Sequence, residues 1–317
     1  MEYRVLPNFF IVGAIKAGTT SLYNYMKQHP DVYMSPIKEP HYFSKDIRCK
    51  DFNKDYREHF CFDMKKYLSK SKLQERHQTF IEEWNDYIEL YREVKNEKII
   101  GESSVGYLYS RVAAKGIRET IPHAKIVVIL RDPIERAFSH FVGDFKNGVL
   151  ESSDFIKEVK KDHGSIDKGW GKTHLYIEIG LYYEQVKRYI NIFPRNQVNV
   201  YLFDDFKNNP DGVLNDLFKF LNIDTQVKIN SSKIYNKATS PRFRKFDEML
   251  NYIGARKTFS KFLPDNLKEK LKKTYFNDKN KVVITQEYRK CLLPYFEQDI
   301  DKLAKLIDRD LSHWKKH

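Results

Sequence analysis

The sequence contains few cysteines and no long hydrophobic run. Its three cysteines, Cys49, Cys61 and Cys291, include no CxxC pair, so we expect ordinary thiols rather than a disulfide framework or a zinc site. The longest apolar runs, Phe9–Ile15 and Ile126–Leu130, are far shorter than the roughly 20 residues that span a bilayer. The sequence therefore predicts neither a membrane span nor a small disulfide-stabilised protein.

A cleavable leader is not expected either. The first predicted strand begins within eight residues of Met1, which leaves no room for a charged, apolar and cleavable segment. We therefore expect a cytoplasmic enzyme. With 317 residues, 41% of them hydrophobic and 15% aromatic, the chain can bury a substantial core.

Positive charge is concentrated at the end of the chain. The formal net charge is +13, and residues 226–317 carry 22 Lys and Arg against 11 Asp and Glu. This asymmetry favours an anionic partner, such as a nucleotide, an acidic glycan, nucleic acid or a membrane surface. A basic surface that serves only solubility is the alternative.

Short apolar runs alternate with helical patterns in the first two-thirds of the chain, which predicts an α/β fold with a parallel sheet flanked by helices. The predicted strands are Phe9–Ala14, Lys98–Glu102, Ala124–Leu130 and Gln197–Phe203. The predicted helices follow Thr20 up to His29 and cover Ile134–Phe145, Leu181–Phe193 and Asp211–Leu221. Residues 151–179 are predicted to form a long loop over a site.

No internal repeat or low-complexity linker divides the chain. We therefore predict one domain, with residues 1–225 as the α/β core and residues 226–317 as a basic, mostly helical C-terminal part. Within that part, Leu263-Pro264 and Leu293-Pro294 are predicted to break helices.

The stretch FIVGAIKAGTTSL (Phe10–Leu22) places two glycines on a loop that follows the first strand. A nucleoside triphosphate P-loop reads GxxxxGK[ST], with the lysine directly after the second glycine. Here Gly13 and Gly18 keep that frame, but Thr19 occupies the lysine position and the lysine is Lys16. Amides at the start of the next helix would still attract an anion, so a phosphate site is predicted without the ATP and magnesium chemistry.

A second segment, RDPIERAFSHF (Arg131–Phe141), follows the most apolar strand. The carboxyl ends of strands in open α/β sheets face the ligand crevice. Arg131 is thus predicted to bind a second phosphate, with the Ser139 hydroxyl as a further hydrogen-bond donor. The alternative for Arg131 is a salt bridge beside the helix, to Asp132 or Glu135.

These two segments in this order resemble the cofactor motifs of the sulfotransferases that use 3′-phosphoadenosine 5′-phosphosulfate (PAPS). KEPHYF (Lys38–Phe43), GESSVGYL (Gly101–Leu108) and GLYYEQVKRYINIFP (Gly180–Pro194) are similar to segments of heparan sulfate sulfotransferases and bacterial relatives. The resemblance implies a P-loop-like α/β fold and sulfuryl transfer to a hydroxyl or amine, with no metal required. It implies a glycan or a small hydroxylated acceptor, and no nucleic acid partner.

The resemblance also implies roles for individual residues. Lys16 would contact the bridging oxygen and the 5′-phosphate of the donor, and Arg131 and Ser139 would hold its 3′-phosphate. The 5′-phosphate would lie in a cradle formed by Ala17, Gly18, Thr19, Thr20 and Ser21. A late basic loop would add Lys237 and Arg242, for which a solvated turn is the alternative.

The base that accepts the acceptor's proton is left open between two glutamates. Glu39 matches the glutamate assigned as base in 3-O-sulfating heparan enzymes, with His41 matching the histidine beside it. Glu102 matches the glutamate assigned as base in the N-sulfating enzymes, although Ser103 replaces their usual lysine. We prefer Glu39, and a packed loop histidine is the alternative for His41.

Two other classes of protein remain as alternatives to a sulfotransferase. The first is a P-loop nucleotide kinase or phosphotransferase, which the position of Lys16 disfavours. The second is a non-catalytic module that binds a polyanion, although no aromatic and basic RNA-binding motif is present.

Overall fold

The computed structural model describes residues 5–147, 149–150, 152–233, 235, 240–241, 276–277 and 284–316. The strands within these residues are β1 (Phe9–Gly13), β2 (Val32–Met34), β3 (Ile37–Glu39), β4 (Arg76–Gln78), β5 (Ile99–Glu102), β6 (Lys125–Leu130), β7 (Val198–Leu202), β8 (Ser240–Pro241) and β9 (Phe276–Asn277). The α-helices within them are α1 (Thr19–Met26), α2 (Lys54–Phe60), α3 (Met64–Leu68), α4 (Trp84–Ile88), α5 (Gly106–Tyr109), α6 (Ala113–Thr120), α7 (Pro133–Lys146), α8 (Phe155–His163), α9 (Tyr182–Ile192), α10 (Phe203–Asn208), α11 (Pro210–Leu221) and α12 (Gln286–Ile307).

The centre of the fold is a five-stranded parallel sheet with the strand order β2-β5-β1-β6-β7. All residues of β1 and β5 are buried, as expected for parallel strands that helices cover on both faces. From β1 the chain passes first to the β2 side of the sheet and later crosses to the β6 side. Ligands of open α/β sheets bind at such a reversal, beyond the carboxyl ends of the strands.

The α/β prediction is confirmed, and the four predicted strands correspond to β1, β5, β6 and β7. The sequence pattern missed the short edge strand β2 and a second, two-stranded parallel sheet formed by β3 and β4. Strands of three residues are too short to produce a recognisable alternation of apolar and polar side chains.

The prediction that residues 151–179 form one long loop is wrong, because α8 lies within this segment. The Asp154 side chain caps α8 by accepting a hydrogen bond from the Lys157 N–H. Phe155 and Val159 of α8 are buried, and the Phe155 ring lies 5.1 Å from that of Phe138 in α7. Packing against α7 therefore stabilises this helix, although its charged sequence did not indicate a helix.

The predicted helix break at Leu293-Pro294 is also wrong, because Pro294 lies inside α12. A proline in a helix removes one backbone hydrogen bond. Here Leu292, Phe296 and Ile300 of the same helix are buried, and this burial offsets the loss. The other predicted break, at Leu263-Pro264, lies outside the described residues. Within the described residues, no helix is long and apolar enough to cross a membrane.

Two of the three cysteines form a disulfide bond, so the expectation of ordinary thiols is wrong for Cys49 and Cys61. Their Cα atoms lie 6.3 Å apart, and the bond closes a segment with a sequence separation of 12 that contains α2. The spacing of the two cysteines does not match a known motif, and only the fold of the segment brings them together. Cys291 is free and exposed.

Candidate active site

The loop between β1 and α1 presents backbone amides at the start of a helix. Gly18 is the N-cap of α1 with a φ of 89°, and a Cβ atom at this position would lie 3.1 Å from the Phe203 ring. The first hydrogen bond of the helix runs from the Leu22 N–H to the Gly18 carbonyl. The amides of Thr19 and Ser21 therefore precede the helical ladder, where a helix attracts anions.

The predicted cradle residues are not equally accessible. Thr20 is partly exposed, whereas Thr19 and Ser21 are buried. Ala17 is fully buried, and its N–H donates to the Ala14 carbonyl at 3.2 Å. The Ala17 amide thus stabilises the turn itself, and the residues from Gly18 onward provide the surface of the cradle.

The Lys16 side chain lies against α7. A Cβ atom on Gly143 would lie 2.6 Å from Lys16 Nζ, so the ammonium occupies space that any other residue at position 143 would fill. Burial lowers the pKa of Lys16, and the Asp144 carboxylate opposes this effect. The charges of Glu39 and Arg131 also act on this ammonium, which places Lys16 at the centre of a cluster of charged side chains.

Arg131 lies at the carboxyl end of β6, directly beside the loop. Its Nη1 donates to the Lys16 carbonyl at 3.4 Å, and its guanidinium lies 4.8 Å from the centre of the Phe203 ring. Its Nη2 and Nε donate to Glu135 Oε2 at 2.8 and 3.2 Å. The alternative salt bridge is therefore present, on the same guanidinium that contacts the loop.

Ser139 lies on the same face of α7 as Glu135 and Gly143, because helical residues four apart share a face. It is partly exposed and one turn before the glycine that contacts Lys16. The structure thus brings Lys16, Arg131 and Ser139 to one side of α7. The predicted contacts Lys237 and Arg242 lie outside the described residues.

Glu39, at the end of β3, lies within a cluster of basic side chains. Its Oε1 forms an ion pair with Lys38 and lies 3.9 Å from His77 Nε2, and its Oε2 lies 3.3 Å from His41 Nε2. Burial raises the pKa of Glu39, but the Lys38 ammonium and the neighbouring rings of His41 and His77 outweigh this effect and hold the pKa well below its ordinary value. Glu39 is therefore ionised at neutral pH.

Glu102, the other candidate base, is enclosed in the protein. It is 0% exposed and accepts hydrogen bonds from Tyr87 at 2.5 Å, Ser104 at 2.6 Å and Tyr107 at 3.1 Å. Burial raises the pKa of Glu102 to about 7, although these hydroxyl groups oppose the rise. An acceptor could reach this carboxylate only by displacing buried tyrosines.

His41 has a packing role as well as its contact with Glu39. Its ring stacks on Phe80, with centroids 4.4 Å apart, and closely approaches Gly106. Burial lowers the pKa of His41, so the ring is neutral at pH 7. His41 is thus a packed histidine whose Nε2 approaches Glu39 Oε2 at 3.3 Å.

Sequence reasoning missed two groups beside Lys16. His77 in β4 is 57% exposed and close enough to Lys16 for the lysine charge to lower its pKa. Asp144 in α7 accepts a hydrogen bond from Tyr176 at 2.8 Å and pairs with His174 Nδ1 at 2.9 Å. Neither residue belongs to a recognisable motif, so the sequence carried no signal for them.

Trp170, in the GWGK stretch (Gly169–Lys172) of the segment after α8, is packed inside the protein. It is 8% exposed, and its indole N–H donates to the Tyr56 hydroxyl at 2.9 Å. Tyr56 belongs to α2 within the disulfide-closed segment, and the Asn53 N–H of that segment donates to the Gly171 carbonyl. The segment therefore fixes the GWGK loop above the Glu39 cluster.

Comparison with known proteins identifies the family. The model of the sulfotransferase family matches residues 7–226, which include the loop, Glu39, Glu102, Arg131 and Ser139. This chain belongs to the sulfotransferase family.

Similar proteins include other sulfotransferases. A crystal structure of a sulfotransferase from Alicyclobacillus acidocaldarius superposes with a TM-score of 0.69 and 29% identity, covering 98% of this chain and 100% of that one. The membrane-associated sulfotransferase kil1 of Dictyostelium discoideum is 22% identical over 97% of this chain. Human carbohydrate sulfotransferase 15 is 26% identical over 69% of it. The matches span 66% and 44% of the lengths of these two curated relatives.

Proposed function

We propose that this sulfotransferase moves a sulfuryl group from PAPS to a hydroxyl or amine of an acceptor, with a glycan as the acceptor class. The observation that carries the proposal is the contact between Arg131 Nη1 and the Lys16 carbonyl at 3.4 Å. It joins the cradle at the start of α1 to a guanidinium at the end of β6. Two anion-binding elements side by side suit a nucleotide that carries two separate phosphates.

The residues of this edge fit PAPS. Lys16 and the amides from Gly18 to Ser21 would bind the 5′-phosphosulfate, whereas Arg131 and Ser139 would bind the 3′-phosphate. Glu135, which now neutralises Arg131, would share the guanidinium with that phosphate. Lys237 and Arg242 would add positive charge from the C-terminal part.

Lys16 has the main electrostatic role in the proposed reaction. When the sulfur–oxygen bond breaks, negative charge accumulates on the phosphate oxygen that bridged to sulfur. An ammonium already held against Gly143 stabilises that charge without reorganising. Lys16 would supply the positive charge that magnesium provides in P-loop kinases. Apart from this charge, an in-line displacement mainly needs the donor and the acceptor to be held in the correct position.

The base of the proposed reaction is assigned to the Glu39 cluster rather than to Glu102. Glu39 and Lys16 interact electrostatically, so a proton removed beside Glu39 is removed close to the departing phosphate. Glu102 is satisfied by three hydroxyl groups and has no exposed atom. Because Glu102 is enclosed in this way, we assign it a structural role.

The proposed acceptor class is supported by the relatives and by the charge of the chain. The names of two similar proteins describe a carbohydrate sulfotransferase and a heparan sulfate glucosamine 3-O-sulfotransferase. The basic composition of residues 226–317 would attract an acidic saccharide.

The disulfide bears on the compartment in which the enzyme folds. Bonds such as Cys49–Cys61 persist in oxidising environments and are rare in the cytosol. We therefore propose that the enzyme folds in an oxidising compartment, in place of the cytoplasm expected from the sequence.

Ligand-dependent thermal stability tests the proposed function. The product nucleotide, 3′-phosphoadenosine 5′-phosphate (PAP), should raise the melting temperature without metal, by about 2.7 kcal/mol of stability at 100 times its dissociation constant. Stabilisation only by ATP with magnesium would instead support a nucleotide kinase. Transfer of radiolabelled sulfate from PAPS to glycan fractions then tests the acceptor, with small hydroxylated metabolites as the comparison.

A further inference from the structure

The four side chains of the cluster, Glu39 and the three basic groups around it, differ sharply in exposure. The side chains of Lys38, Glu39 and His41 are 5%, 4% and 0% exposed, whereas that of His77 is 57% exposed. His77 belongs to β4, which pairs in parallel with β3, and it is the exposed member of the cluster. A hydroxyl that enters from solvent meets the His77 ring before it meets the carboxylate.

Both oxygens of Glu39 already have partners. Oε1 pairs with Lys38 and faces His77, and Oε2 faces His41. These partners favour the ionised form, which makes the carboxylate a weak base. A direct transfer of the acceptor proton to Glu39 would also require the acceptor to reach a side chain that is 4% exposed and already surrounded by three basic groups.

His77 has the properties that Glu39 lacks. Although its side chain is 57% exposed, desolvation by the surrounding protein lowers the pKa of His77, the charges of Lys38, Lys16 and His41 lower it further, and Glu39 opposes them. The ring is therefore neutral at pH 7 and can accept a proton. Nε2 faces Glu39 at 3.9 Å, which leaves Nδ1 for the acceptor hydroxyl.

We propose that His77 is the general base of the sulfuryl transfer and that Glu39 is its positioning residue. This inference rests on the proposed function and names the residue of the Glu39 cluster that acts as the general base. The acceptor hydroxyl gives its proton to His77 Nδ1 as its oxygen bonds to sulfur. The bond between sulfur and the bridging phosphate oxygen breaks, its electron pair stays on that oxygen beside Lys16, and PAP leaves. The imidazolium, stabilised by Glu39, then releases the proton to solvent.

The test compares His77→Asn and His77→Ala with His123→Asn. His123 is exposed and precedes the amino end of β6, whereas the proposed site lies beyond the carboxyl ends of the strands, so it serves as the matched control. The assay follows radiolabelled sulfate from PAPS into a mixture of desulfated heparin and chondroitin oligosaccharides. Loss of a general base should lower kcat about 10²-fold or more, with unchanged stabilisation by PAP, whereas His123→Asn should keep the wild-type rate.

Two further measurements separate catalysis from structure. Free imidazole should restore part of the rate of His77→Ala, because the exposed site leaves room for it, and should not accelerate His123→Asn. Glu39→Gln should retain more activity than His77→Asn and shift the acidic limb of the kcat/KM profile to lower pH, because Glu39 raises the pKa of His77.

The outcomes distinguish this inference from the proposed function. If His77→Asn stays within threefold of the wild-type rate, if imidazole restores nothing, or if Glu39→Gln loses more activity than His77→Asn, His77 is not the base. If the wild type binds no PAP, or transfers nothing to the oligosaccharides, the proposed function or its acceptor class fails instead.

Discussion

Gly143→Ala in α7 should separate the stability of the enzyme from its catalysis. A Cβ atom at this position would lie 2.6 Å from Lys16 Nζ and 3.2 Å from its Cε. Non-bonded heavy atoms prefer separations of about 3.5–4.0 Å, so the ammonium has to move by about 1 Å. This movement is easy because Nζ is the end of a flexible side chain.

The two effects of this substitution have opposite signs. Replacing glycine with alanine inside a helix stabilises the helix by up to about 1 kcal/mol, which raises the melting temperature by about 2 °C in a protein of this size. A catalytic group displaced by about 1 Å can cost about 10² in rate. We therefore expect a variant that is at least as stable as the wild type but about 10²-fold slower.

The assay measures kcat with radiolabelled PAPS, the melting temperature and the affinity for PAP. The matched control is Gly116→Ala in α6, where a new Cβ atom would lie 3.4 Å from Phe43 Cδ1 and, among the described residues, within 4 Å of no Lys16 atom. That variant should keep its activity. An unchanged kcat in Gly143→Ala would refute the requirement for the Lys16 ammonium at this position.

Three further predictions concern the phosphate site, the buried glutamate and the disulfide. Arg131→Ala should abolish or strongly weaken the thermal stabilisation by PAP, and an undiminished response would exclude Arg131 from the phosphate site. The pKa of Glu102 is raised from 4.5 to about 7, so its contribution to stability is complete below about pH 4.5 and is lost as the pH rises through 7. The melting temperature of Glu102→Gln should therefore depend less on pH than that of the wild type between pH 5 and 8, and parallel curves would contradict the assignment. Cys49→Ser should lower the free energy of unfolding by up to about 3 kcal/mol, and reductant should no longer change the melting temperature of this variant. If reductant lowers the melting temperatures of the wild type and the variant equally, the Cys49–Cys61 bond does not stabilise the fold.

The prediction of a single domain stays a prediction, and two contacts join the C-terminal part to the core. Arg289 of α12 donates to Asp132, the residue after Arg131, at 2.7 Å, and the Tyr183 N–H at the start of α9 donates to Asp299. The division into residues 1–225 and 226–317 stays a prediction. Its test is whether a chain that ends at residue 225 folds without the rest.

The sequence by itself determined four of the five strands of the central sheet and the two segments for which we propose phosphate binding. A strand, a turn and the first turn of a helix form one contiguous segment, so local backbone preferences are sufficient to expose the amides after Gly18. Arg131 and Ser139 are also close in sequence. Arg131 follows the end of a strand and Ser139 lies on one face of the next helix, so local structure fixes their relative positions. These elements could be predicted because residues close in sequence form them.

Only the tertiary structure decided which groups meet across the site. Pairing of β3 with β4 brings His77 to Glu39, and packing of the loop on α7 brings Lys16 to Gly143. Glu39 and Glu102 look alike in the sequence, but the fold surrounds one with basic groups and encloses the other among hydroxyl groups. Such differences depend on burial and on neighbours distant in the sequence, and a linear pattern of residues records neither.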